Sequence, residues 1–331
     1  MRVWAYISGT GSYLPARVMT NAELCERVPN CSAEWIEEKL GIETRHIADA
    51  NEQASDLGVH AAQSAMDSAG LEANSIDGII CAIGTGDVIT PATASYIQNK
   101  LGISNKCFAF DLHMACAGTI SGITLARGLI ESGLYRNILV IGTQVISRTS
   151  LNWDDRTTAP IFGDGAGAVV VSQSTNEDQR IIDSRLRTDG SLADIVGQFG
   201  GGTRDPLTPE LVAEKRHKLT MDGRAVWDCA TREMPAVVRE LLESQKMAVS
   251  DVDFVVSHQA NKRLLYAVLE DLNIPPEKTY TNVERYGNTV AASAMVALDE
   301  AVSKELIKKG DLVVLLAIGA GMSWGAHLMR W

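Results

Sequence analysis

Short apolar runs alternate with longer helix-patterned stretches along this chain, and the whole alternation occurs twice. Residues 52–69 space Leu57, Ala61, Ala65 and Met66 along one side of a helix, and the run 76–83 (IDGIICAI) is apolar enough for a buried strand. A helix over 93–101, a strand over 107–111, a helix over 118–132 and strands over 137–142 and 166–172 are expected next. Further on come a long helix over 222–245, a strand over 252–257, helices over 263–272 and 291–308, and a strand over 312–318. "SIDGIICAI" and "DVDFVVSHQ" hold matching places in the two halves, as do "YRNILVIGT" and "GDLVVLLAIGAG", which fits a duplicated α/β unit. Such alternation implies parallel sheets covered by helices. The expected halves are residues 1–172 and 173–331, with the Gly- and Pro-rich stretch 189–209 as a long loop between them. The first strand is expected over 3–8, closed by a Gly-rich turn.

Composition narrows the classes of function. At 331 residues with 46% apolar side chains, the chain can bury a large core as one big domain or two fused ones. A net charge of −11 argues against a nucleic-acid or anionic-membrane partner, while leaving room for a local basic patch that holds an anionic cofactor. No run of about 18 apolar residues suggests a membrane span. The amino-terminal stretch MRVWAYISGTGSYLP lacks the basic flank, apolar run and cleavage site of a signal peptide, so a cytoplasmic location is expected. Six cysteines (Cys25, Cys31, Cys81, Cys107, Cys116 and Cys229) lack metal-ligand spacing, so free thiols and no metal site are expected.

Cys116 stands between an apolar strand (CFAFDL) and a helix rich in small residues (AGTISGITLARGLI). Backbone N–H groups and the positive end of a helix at such a junction are expected to lower the thiol pKa. A lone cysteine reads equally well as a small buried hydrophobe. His258 follows the apolar strand FVVS, at the strand end where open α/β sheets place ligands. It reads equally as a satisfied histidine at a strand end. Asn288, in ERYGNTVAAS, reads as a site residue or as a helix cap. The glycines at 163, 165 and 167 (FGDGAGAVVV) run into a strand, and those at 319 and 321 (IGAGMSWG) lie too near the carboxyl end for a nucleotide-binding crossover. They are expected in tight turns with N–H groups facing a reaction centre.

Taken in order, EWIEEKLGIETRHIA, FDLHMACAG, FGDGAGAVVV, SHQANKR, YGNTVAAS and IGAGMSWGAHLMRW resemble the ketoacyl synthase III family of the thiolase superfamily over the whole chain. The resemblance implies a duplicated, five-layered α-β-α-β-α fold, a homodimer, and a site between the halves. It implies a decarboxylative Claisen condensation of an acyl-CoA primer with a malonyl thioester, in fatty-acid or related biosynthesis, with an acyl carrier protein as candidate partner. Coenzyme A thioesters would be the substrates, and no cofactor or metal is implied. Cys116 would be the nucleophile, with His258 and Asn288 completing the catalytic set. The backbone N–H groups of Cys116 and Ala320 would form an oxyanion hole. Trp35, Lys39, Arg156 and Arg224 match positions that hold coenzyme A, Thr90 one that lines the acyl pocket, and Arg263 a carrier-docking position.

The chain also departs from the family pattern. Asp228, Glu270 and Asp271 stand where many bacterial members carry lysines that meet an acidic carrier protein, which weakens that encounter. Lys39 replaces a frequent arginine, Ala320 a frequent glycine, and Thr90 a bulky aromatic, which favours a longer primer. His113 replaces a small residue just upstream of Cys116, either tuning the pocket or packing. The alternative is a synthase III-like acyltransferase, or a quinolone- or pyrone-type synthase, acting on coenzyme A thioesters. A thioesterase reading would predict hydrolysis without an acceptor.

Overall fold

The computed structural model describes residues 3–331. Strands β1 (Trp4–Tyr13), β2 (Gly78–Ala82), β3 (Phe108–Leu112), β4 (Asn137–Gln144) and β5 (Gly165–Ser174) form a sheet in the order β3-β2-β4-β5-β1. In it β2 runs parallel to β3 and β4, and β5 runs antiparallel to β4 and β1. Strands β6 (Arg180–Thr188), β7 (Phe254–Ser257), β8 (Leu312–Gly319) and β9 (Ser323–Arg330) form a second sheet in the order β7-β8-β9-β6. The second order repeats the first without its outermost strand. That place holds only a parallel bridge between Val255 and Thr279.

Two helices, α4 (Gly118–Glu131) and α7 (Ser293–Ser303), lie between the sheets and touch both. Helices α2 (Ala54–Ala69) and α3 (Thr93–Lys100) cover the outer face of the first sheet, while α5 (Gly223–Ser244) packs on the outer face of the second and α6 (Lys262–Asp271) packs against α5. The result is five layers, α-β-α-β-α. Strand periodicity explains why the central strands read as unbroken apolar runs. In β8, Val313, Leu315 and Ala317 join the core around α4 and α7, while Leu312, Val314 and Leu316 join the core beneath α5. In β4, Ile138 and Val140 face inward and Leu139 and Ile141 face α2. No helix of the described residues is long and apolar enough to cross a membrane.

Three local expectations change. The first strand does not stop at a Gly-rich turn but continues to Tyr13. Gly9 and Gly11 are there because α2 presses on the strand: a Cβ at Gly9 would lie 2.3 Å from the Ala65 carbonyl oxygen. The stretch 189–209 is not a junction between sheets, because β6 precedes it and pairs with β9. It is an excursion that includes Val196–Gln198, paired with Leu219–Met221. The helix expected over 291–308 is shorter, starting at Ser293 after a single 3-10 turn (Val290–Ala292).

Candidate active site

The two middle-layer helices point their N-termini at the same place. Cys116 occupies the 3-10 turn Ala115–Ala117 that leads into α4, and the turn Val290–Ala292 leads into α7. The turns touch, and the Thr119 hydroxyl donates to the Ala291 carbonyl at 3.0 Å. A cavity of about 510 Å³ opens at this junction, walled by Cys116, His258, Asn288, Gly319, Ala320 and Phe162. Cys116 and Ala320, 204 positions apart in the chain, thus share one space.

Each side chain is held by its own local structure. Ala115 adopts φ +44°, which turns the backbone sharply after β3 and presents Cys116 at the cavity wall. His258 extends the parallel ladder by one residue, its N–H donating to the Leu316 carbonyl at 2.7 Å. Its Nδ1 contacts the Ser293 hydroxyl at the start of α7, and the ring is buried. The Asn288 backbone is clamped on both sides: its N–H donates to Ile161 at 2.8 Å and its carbonyl accepts from Gly163 at 3.1 Å. The Val290 N–H donates to Asn288 Oδ1 at 2.8 Å, which fixes the carboxamide so that the acceptor end is used and Nδ2 remains the donor.

Electrostatics overturns one expectation. Burial pushes the Cys116 thiol up to about 12, and its own backbone N–H, which favours the thiolate, offsets only part of that. A helix start therefore does not leave a resting thiolate here. Burial also lowers the His258 imidazole to about 3, so the ring is neutral at ordinary pH.

At the mouth stand α1 (Ala33–Leu40) and α6. The Arg156 guanidinium lies 5.1 Å from the centre of the Trp35 ring and donates to the Asn30 carbonyl at 3.1 Å. Lys39 is exposed and ion-paired with Glu38 at 2.5 Å. Trp35, Lys39, Arg156 and Arg263 all border the cavity. Two expected residues do not. Arg224 is exposed in the first turn of α5, beside cavity-lining Gly223, and Thr90 is exposed on the loop between β2 and α3. His113 is likewise exposed and off the cavity wall. Arg263 shares an outer groove with Glu37, Glu38 and Glu270, and Asp271 is ion-paired with Arg239 at 2.5 Å. The first glycine cluster differs from expectation too. Gly165 and Gly167 lie within β5, and a Cβ at Gly167 would meet Met295 at 2.7 Å, so Gly167 serves close packing of α7.

Sequence reading missed Ser293, Gln259 and Val290. Gln259 is buried and ties the end of β7 to the following loop, donating to the Ser257 carbonyl at 2.9 Å and accepting from the Asn282 N–H at 3.2 Å. A polar pair at the end of an apolar strand was the available signal for Gln259; nothing local marks Ser293, which lies 35 residues from its histidine.

Two duplicated sheets enclosing two helices, with a deep cavity where those helices begin, define the thiolase fold. Within that class, the description "3-Oxoacyl-[acyl-carrier-protein (ACP)] synthase III" matches residues 110–190, and its C-terminal counterpart matches residues 242–331. The β-ketoacyl-[acyl-carrier-protein] synthase III of Caldanaerobacter subterraneus subsp. tengcongensis is 40% identical over 330 residues, covering 100% of this chain and 98% of that protein. That of Acidiphilium cryptum is 42% identical over 326 residues, covering 98% of each. The crystal structure of 3-oxoacyl-[acyl-carrier-protein] synthase III from Aquifex aeolicus VF5 superposes with a TM-score of 0.91 at 38% identity, covering 99% of this chain and 100% of that one. The chain belongs to the 3-oxoacyl-[acyl-carrier-protein] synthase III family.

Proposed function

We propose that this acyltransferase primes fatty-acid synthesis by condensing an acyl-CoA with a malonyl thioester through an acyl-Cys116 intermediate. The observation that supports this reading most is the convergence of Cys116, His258, Asn288 and Ala320 on one cavity. In the first half-reaction the Cys116 sulfur attacks the thioester carbonyl, the bond to the coenzyme A sulfur breaks, and the thiol proton finishes on that sulfur. The backbone N–H groups of Cys116 and Ala320 steady the tetrahedral oxyanion. In the second, the malonyl thioester loses carbon dioxide, and the electron pair left behind forms an enolate. His258 and Asn288 Nδ2 donate hydrogen bonds to its oxygen. The enolate carbon attacks acyl-Cys116, the carbon–sulfur bond breaks to release the β-ketoacyl thioester, and the departing Cys116 thiolate takes up a proton from water to restore the thiol.

Trp35 and Arg156 offer a stacking face and a guanidinium for the adenine and phosphates of coenzyme A, with Lys39 adding charge. Arg263, beside Lys262, offers positive charge at the groove where a malonyl-carrier protein would dock. Condensation is favoured over the acyltransferase and pyrone alternatives by full-length relatives carrying the synthase III name. A homodimer is proposed along the free edge of β3, where Phe110 is exposed and Ile89 on the adjoining loop is fully exposed. Residues 1–172 and 173–331 are proposed as the two halves, and six free thiols suit a cytoplasmic location.

Intact-mass measurement after exposure to a panel of acyl-CoAs tests the first step. An acyl mass gain absent from Cys116→Ala, followed by carbon dioxide release and a β-ketoacyl product when malonyl thioester is added, is expected. Absence of acylation by every thioester would overturn the assignment.

A further inference from the structure

We propose that Ser293 is a positioning residue that holds His258 in the tautomer carrying its proton on Nε2, the nitrogen turned towards the cavity. The inference rests on the role given to His258 above and deepens it. An uncharged imidazole has one donor nitrogen and one acceptor nitrogen, and the partner of Nδ1 decides which is which. The ring's low basicity keeps it in that uncharged form.

Three groups surround the Ser293 oxygen: His258 Nδ1, the Gln259 N–H at 3.2 Å and the Val290 carbonyl at 3.1 Å. All are buried. The Gln259 N–H can only donate, so it takes a lone pair of the hydroxyl. The Val290 carbonyl already accepts the backbone N–H of Ser293, so it stays paired whether the hydroxyl proton goes to it or to Nδ1. Giving the hydroxyl proton to His258 Nδ1, which has no other partner among the described residues, makes Nδ1 the acceptor. Nε2 then carries the ring proton. A proton there meets a developing enolate oxygen with a donor; the other tautomer would meet it with a lone pair.

The backbone supports this arrangement at a cost. Val290, a β-branched residue, sits at φ +54°, a conformation such residues avoid. That turn sends the Val290 N–H to Asn288 Oδ1 and the Val290 carbonyl to the Ser293 N–H. One strained turn therefore orients the carboxamide and seats the hydroxyl that orients the imidazole.

The test separates the two half-reactions in Ser293→Ala and Ser293→Thr, with ¹⁵N NMR of histidine-labelled protein reading the tautomer. Ser293→Ala is expected to acylate at Cys116 within about threefold of the parent, while malonyl decarboxylation falls by roughly 10- to 100-fold and the His258 signals lose the Nε2–H pattern. Ser293→Thr, which keeps a hydroxyl, is expected to regain the pattern and most of the rate. If Ser293→Ala keeps both, the inference fails. If the variant does not fold, the parent spectrum decides: an Nδ1–H pattern for His258 overturns the inference and an Nε2–H pattern upholds the tautomer, with Ser293→Thr carrying the test of the hydroxyl. Should His258→Ala retain full decarboxylation, the role of His258 itself is wrong. Should His258→Ala lose it while Ser293→Ala does not, only the inference about Ser293 falls.

Discussion

Gly319 is pressed so closely on Cys116 that a Cβ at Gly319 would stand 2.6 Å from the Cys116 backbone nitrogen and 2.8 Å from that of Ala117. The contact joins the end of β8 in one sheet to the turn that follows β3 in the other. Gly319→Ala must push these backbones apart, and with them the Cys116 and Ala320 N–H groups. Acylation by acyl-CoA should fall by about 100-fold or more, read by intact mass, in a protein whose far-ultraviolet circular dichroism is unchanged. Wild-type acylation in Gly319→Ala would show that this spacing does not matter to the first step.

The raised thiol pKa of Cys116 predicts an unusual alkylation profile. With the pKa near 12, the thiolate fraction grows about tenfold per pH unit throughout the working range. Iodoacetamide modification of Cys116 should rise accordingly from about pH 6 to 9 without levelling off, with Cys116→Ala used to subtract the other thiols. A plateau near neutrality would mean that the unacylated enzyme holds a stable thiolate.

His327 makes acid stability a second readout of burial. It lies on β9, fully buried, with Nε2 donating to the Ile120 carbonyl of α4 at 2.8 Å and Nδ1 meeting the Ser184 hydroxyl at 2.8 Å. Burial lowers it to about 4. Above about pH 6.5 neither the folded nor the unfolded chain protonates it. Below that the unfolded chain binds the proton first, so its share of stability drains away as pH falls towards 4. His258 acts in the same direction towards about 3. Urea midpoints between pH 4 and 7 should fall less steeply in His327→Gln than in the parent. At pH 7 the substitution should cost about 1–3 kcal/mol from the lost buried hydrogen bonds. Equal acid slopes would count against a neutral buried His327.

Much of this fold is legible in the order of residues alone. Strands β2, β4, β7 and β8 are buried on both faces, and their apolar runs announce it. Strand β6 (RIIDSRLRT) escapes notice because it is a sheet edge whose arginines pair outward, as Arg187 does with Glu240 at 2.5 Å. Cys116, His258 and Asn288 each sit at an element end that local pattern can find, and six motifs in order join them. Burial is what local pattern cannot supply. The same turn that suggests an activated thiol lies in a pocket whose desolvation dominates. Thr90 and Arg224 are exposed and do not line the cavity, a placement that local sequence pattern does not reveal.

The acidic groove beside the mouth predicts a salt effect. Glu270 lines the groove with Arg263, and Asp228 is exposed next in sequence to groove-lining Trp227, so an acidic carrier protein approaches like charge. Changing both to lysine should raise kcat/KM for a malonyl-carrier protein several-fold at low ionic strength, the gain fading by about 0.5 M salt as screening sets in. The rate with malonyl-CoA should change little. A gain independent of salt would point away from electrostatic steering.

The convergence of α4 and α7 has a consequence for biogenesis. During synthesis the first sheet, α4 and Cys116 leave the ribosome well before His258, Asn288 and β8 exist, and long-range contacts of this kind form late. A half-made chain thus carries its thiol without the partners that surround it in the finished cavity. The cavity of the proposed reaction therefore takes shape only when the second half closes over the first.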